Sequence, residues 1–103
     1  MAESFEYKAL LECFDSLVTA LKFDPASLAI ELAAKGLVPP GDVTNQRSCD
    51  LAEQARELAG RILNRVELAP NRYHDIVKIF SKHLWMEDFV KILETAYNGK
   101  QNR

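Results

Sequence analysis

The side chains best equipped for chemistry are two cysteines, Cys13 and Cys49, and two histidines, His74 and His83. A metal centre needs several such ligands converging, and a thiol nucleophile needs a base and an oxyanion site beside it. The cysteines fall in different helical segments with neither zinc nor redox spacing, and Asp75 and Asp88 add no ligand pattern to the histidines. His74 lies on the opposite side of its segment from Ile76 and Phe80, the position of a solvated histidine. Both cysteines read as buried or partly buried free thiols, and Cys49, at a helix N-terminus where the dipole favours thiolate, is the one to test for oxidation. The four glycines, Gly36, Gly41, Gly60 and Gly99, are isolated and make no phosphate-binding loop. No catalytic, cofactor-binding or metal-binding residue is therefore expected, and the chain reads as a non-enzyme.

The elements that carry these residues are legible from hydrophobic period, and no run alternates as a strand would. Phe23 to Pro40 reads FDPASLAIELAAKGLVPP. Asp24 caps a helix, Pro25 suits its first position, Leu28, Ala29, Leu32 and Ala33 make its buried stripe, and Gly36 supplies a left-handed cap after Lys35. Before it, a helix is expected from about Ser4 to Lys22, joined by so short a link that the two should pack as neighbours. Pro39 and Pro40 then permit only a short helix near residues 41–47. A long helix begins at Ser48 or Asp50, where Asp50 and Glu53 have capping-box spacing, and buries Leu51, Ala55, Leu58, Ile62 and Val66. Gly60 lies inside it. Pro70 opens a fifth helix burying Tyr73, Ile76, Val77, Phe80 and Leu84. A sixth, from about Trp85 to Asn98, turns Phe89, Ile92, Leu93, Ala96 and Tyr97 inward, ends at Gly99 and leaves residues 100–103 as a frayed tail. Trp85, at a helix junction, is expected to plug the core.

Six helices with short connections imply an all-α single domain over residues 1–103, its core within about 4–98. The expected core comprises Leu17, Leu21, Leu28, Leu32, Leu58, Ile62, Ile76, Phe80, Phe89 and Leu93. The chain has 103 residues, enough for one core without disulfides or metal, and its 48% hydrophobic and 27% charged residues are those of an ordinary globular domain. Thirteen Lys and Arg against fifteen Asp and Glu give a net charge of −2, which offers no general field for nucleic acid. No run approaches the roughly 20 apolar residues of a membrane span, and the acidic start MAESFEYK lacks a signal-peptide core, so the expected location is the cytoplasm.

Function should then lie on the surface, where charge is unevenly placed. The outer side of the first helix is acidic, with Glu3, Glu6, Glu12 and Asp15 against Lys8 and Lys22. Arg47, Arg56, Arg61, Arg65 and Arg72 cluster mid-chain, and Arg61 and Arg65 share one helix flank. Opposite in sign are Asp24, Glu31 and Asp42, around the second helix and the turn after it. Arg56, Arg61, Arg65, Asp24, Glu31 and Asp42 are accordingly the candidate partner-binding residues.

With the Asp24-Pro25 start, the KGLVPP stop, the RSCDLAEQARELAGRIL helix and the PNRYHDIVKIF helix in order, the chain resembles a caspase recruitment domain over about Leu10 to Tyr97. The related death domain and death effector domain share that frame, but no charged RxDL-type motif of the effector domain is visible. The resemblance implies a six-helix antiparallel Greek-key bundle of the death-fold superfamily, without catalysis. It implies homotypic binding to another such domain or to itself, as adaptor or decoy in apoptotic or innate-immune signalling. In that family, basic residues of the first and fourth helices meet acidic residues of the second and third, a head-to-tail contact that builds open helical assemblies. Here Phe14 and Gln54 stand at the usual basic positions of the first helix and the opening turn of the fourth. The alternative is a helical regulatory domain that holds an amphipathic partner helix in a groove without self-assembly.

Overall fold

The computed structural model describes residues 4–38 and 50–101, and every regular element among them is helical. The order is α1 (Phe5–Glu12), α2 (Phe14–Leu21), α3 (Pro25–Ala34), α4 (Leu51–Leu68), α5 (Tyr73–Phe80) and α6 (Glu87–Gln101). Short 3-10 turns at Pro70–Arg72 and Leu84–Met86 precede α5 and α6. The expected short helix at 41–47, with Asp42 and Cys49, lies outside the described residues.

Capping chemistry sets the helix ends. Ser4 accepts the Tyr7 amide at 3.0 Å to start α1, and Asp50 accepts the Glu53 amide at 2.8 Å to start α4. In α3 the Asp24 carboxylate accepts the Ser27 amide at 3.3 Å and the Ser27 hydroxyl at 2.8 Å, with Pro25 in the first turn. At its far end Leu37 N–H bonds Leu32 O at 2.9 Å and Gly36 N–H bonds Ala33 O at 3.0 Å. That double closure needs a left-handed residue, and Gly36, at φ 71°, provides it without a Cβ penalty.

α4 is the pillar of the bundle. Its inner stripe, Ala55, Leu58, Ala59, Ile62 and Val66, is buried, and α1, α2 and α3 all pack on it. α6 closes the bundle against α1, and α5 packs on α3 and α6. All ten expected core residues are buried, in one cluster that also takes in Leu10, Cys13, Leu37 and Met86.

Several expectations are corrected. The single helix from Ser4 to Lys22 is two, jointed at Cys13, whose φ −98° and ψ 14° leave the helical region. The joint lets α1 press chiefly on α6 while α2 presses on α4, which one straight rod would not achieve. α2 and α3, despite their short link, pack chiefly on α4 and not on each other. Leu51 is exposed because α4 has barely begun there and its inner face starts at Ala55. Leu84 is 87% exposed. α5 ends at Phe80 and His83 is extended, so Leu84 does not continue the stripe; Ile79 is buried in that stripe. Ile92 is also exposed, the inward places of α6 going to Phe89, Val90 and Leu93. α6 continues through Gly99 to Gln101, since Gly99 does not adopt the positive φ of a cap.

Candidate functional site

The two histidines have different surroundings. His74 is exposed, as its helical phase implies, and lies edge-on to Tyr73 and Tyr97. His83 is mostly enclosed, and its Nε2 stands 2.7 Å from Oε1 of Glu31, joining α3 to the segment after α5. His83 also lies 5.5 Å from Trp85, which stacks on Phe23 at 5.0 Å between ring centres. Trp85 is half-buried against the core, in keeping with a plug, while Phe23 covers it from outside and remains 71% exposed.

The candidate charged residues are therefore not equivalent. Asp24 holds the first turn of α3, and Glu31 is bonded to His83. Arg65 is half-buried and its Nε donates to the Leu37 carbonyl at 3.2 Å, tying α4 to the chain just after α3. Arg56 and Arg61 are exposed on α4. Five of the six candidates thus occur on α3 or α4 or at the α3 cap; two of them, Glu31 and Arg65, tie separate elements together, and Asp24 caps its own helix. Hydrophobic period could not reveal the Glu31–His83 bond, because its partners are 52 residues apart in sequence.

Two concave surfaces accompany these residues. A groove of about 410 Å³ runs between α2 and α6, with Trp85, Phe89 and Ile92 on its walls and Asp15 and Asp88 beside them. A hollow of about 290 Å³ lies where the end of α3 meets α5, lined by Lys35, Arg72, Asp75, Lys78, Ile79 and Lys82. Sequence reasoning weighed none of these lysines, although 72, 75, 78, 79 and 82 recur with helical period.

Beneath α5, the Tyr73 ring is buried and stacks on Tyr97 at 4.9 Å, and its hydroxyl has no hydrogen-bond partner among the described residues. Burial pushes the Tyr73 phenol well above its ordinary value, and the neighbouring Tyr97, Glu94, Cys13 and Glu6 push it the same way. The phenol is thereby held neutral, its ring packed against Tyr97. Among the described residues no group of three His, Cys, Asp or Glu side chains could hold a metal, and no helix is long and apolar enough to cross a membrane.

Compared with known proteins, the chain matches no family model, no curated protein and no solved structure.

Proposed function

We propose that this chain is a non-enzymatic interaction module of the caspase-recruitment-domain kind. It is a six-helix Greek-key bundle that binds another such domain, or a second copy of itself, through charged surfaces in cytosolic signalling of the apoptotic or innate-immune type. The observation that carries this reading is the placement of Arg56 and Arg61. Both are exposed on α4, the helix on which α1, α2 and α3 pack, so their cations sit on the best-anchored element of the domain. A charged contact is weak singly, about 0.2–1 kcal/mol for an exposed pair, and gains specificity when a rigid frame fixes its geometry and repetition multiplies it.

Light scattering across protein concentration and salt tests the reading. Association is expected to weaken as salt rises, and Arg56→Glu with Arg61→Glu is expected to abolish it or the binding of a partner domain. Unchanged association in that double variant overturns the charged-surface mechanism. The α2–α6 groove favours a second reading, a regulatory domain that holds an amphipathic helix against Trp85, Phe89 and Ile92. In that case the free domain stays monomeric at every salt concentration.

A further inference from the structure

The hollow between the end of α3 and α5 gathers four cations, Lys35, Arg72, Lys78 and Lys82, around one carboxylate, Asp75. Asp75 pairs with Arg72 at 3.3 Å, and no acid among the described residues pairs with Lys35, Lys78 or Lys82. From its lining the hollow thus carries a net charge of +3 (four cations less one carboxylate), in a chain whose overall charge is −2.

Helix dipoles account for part of this arrangement. Lys35 caps the C-terminus of α3, and Lys78 and Lys82 stand at the C-terminal end of α5, where a cation is favoured. They do not account for Arg72, which precedes the first residue of α5, at the end where a cation is disfavoured. Nor do they account for the convergence of Lys35, from a separate helix, on the same concavity. Ile79, only 4% exposed, lies in the lining between the lysines, so the charges ring a concavity and are not dispersed over a flat surface.

We infer that this hollow is a binding site for a compact phosphate-bearing polyanion. Lysine ammonium groups are point charges that gather around a multiply charged phosphate without the paired geometry that arginine brings to carboxylates. A volume of about 290 Å³ suits a small ligand and is too confined for the face of a helix. Extended nucleic acid is disfavoured, because the cationic lining is local and the rest of the chain is net acidic. The ligand's phosphates would be those of a soluble polyphosphate or of a phosphorylated lipid headgroup, which share this chemistry. Arg56 and Arg61 do not line the hollow, and its occupancy requires no self-association.

Calorimetric titration of the folded domain with inorganic tripolyphosphate, with inositol hexakisphosphate and with citrate tests the inference. Both phosphate ligands are expected to bind one to one, more tightly than citrate and less tightly as salt rises. Lys78→Gln with Lys82→Gln is expected to weaken binding by about tenfold or more, and Lys78→Arg with Lys82→Arg to retain most of it. Lys8→Gln with Lys22→Gln removes the same number of cations elsewhere and is expected to leave affinity unchanged. Co-sedimentation with phosphatidylcholine vesicles, with and without a phosphoinositide, identifies the source. Capture by phosphoinositide vesicles assigns a headgroup, and free-ligand binding without capture assigns a soluble polyphosphate. The inference is overturned if tripolyphosphate does not bind, if citrate binds equally well, or if Lys8 and Lys22 matter as much as Lys78 and Lys82. It is also overturned if only a glutamate-rich peptide binds, which would give the hollow to an acidic protein partner.

Discussion

The arginines of α4 and the lysines around α5 carry the same charge, but they belong to different kinds of surface. Arg56, Arg61 and Arg65 are strung along one helix, and Arg65 already supports the bundle through the Leu37 carbonyl. Lys35, Lys78 and Lys82 come from the C-terminal ends of two helices that are distant in sequence and meet at one concavity. Side chains spread round the outer face of one helix make a surface that can meet another protein across an area. A convergence of side chains from separate elements makes a place where one small ligand touches all of them. The difference lies in the packing of α3 on α5, and not in the number of charges.

Both surfaces hang on the same core, so the largest expected effect removes them together. Leu58 is 1% exposed at the centre of α4's inner stripe. Leu58→Ala is expected to cost about 2–5 kcal/mol in denaturant unfolding, the transfer term plus the cavity left behind. Polyphosphate binding and partner binding should then fail at the same denaturant concentration. A cost below about 1 kcal/mol would mean that α4 is rotated from the phase described, and the arginine flank with it.

How much of this contrast could be read from sequence follows from the range of the interactions involved. Helix starts rest on contacts three residues apart, as at Asp24–Ser27 and Asp50–Glu53, and were legible as spacing. Leu17, Leu28, Leu58 and Phe80 were legible for the same reason, since a helical stripe repeats every three or four residues. The joint at Cys13 was not, because nothing local breaks that run; the helix bends to serve two different partners. Leu84 was misplaced because period alone cannot tell that α5 stops at Phe80. Among charges, Arg56 and Arg61 are exposed as a solvated face implies. The bonds of Glu31 to His83 and of Arg65 to Leu37 join residues far apart in sequence, and no spacing encodes them. The lysine hollow has the same origin. Its α5 half is a visible stripe, and its Lys35 half exists only once α3 has docked.

A smaller effect separates the members of the arginine row. Arg65→Ala removes the donor to the carbonyl of buried Leu37, and its unfolding free energy is expected to fall by about 1–2 kcal/mol. Arg56→Ala, at an exposed position, is expected to stay within about 0.5 kcal/mol of the parent. Association should respond in the opposite order, with Arg56 the more important. Equal stability losses would place both side chains in the frame and leave the α4 flank with Arg61 alone.

The smallest expected effect concerns Gly60, which lies between Arg56 and Arg61 inside α4 and does not have positive φ. Glycine there costs helix stability through the freedom it leaves in the unfolded chain, about 0.5–1 kcal/mol relative to alanine. A close approach of another helix would justify that cost, but among the described residues a Cβ built at Gly60 meets nothing within 4 Å. Gly60→Ala is therefore expected to raise stability by about that amount in thermal or denaturant unfolding. It should stiffen the arginine flank without touching the lysine hollow, so tripolyphosphate affinity should not change while partner binding holds or tightens. If Gly60→Ala instead destabilises the domain, a neighbouring element approaches α4 more closely than the 4 Å clearance describes. If it is stabilising yet weakens partner binding, the bound partner occupies the open space over Gly60, and the interaction surface of α4 is centred on that glycine between Arg56 and Arg61.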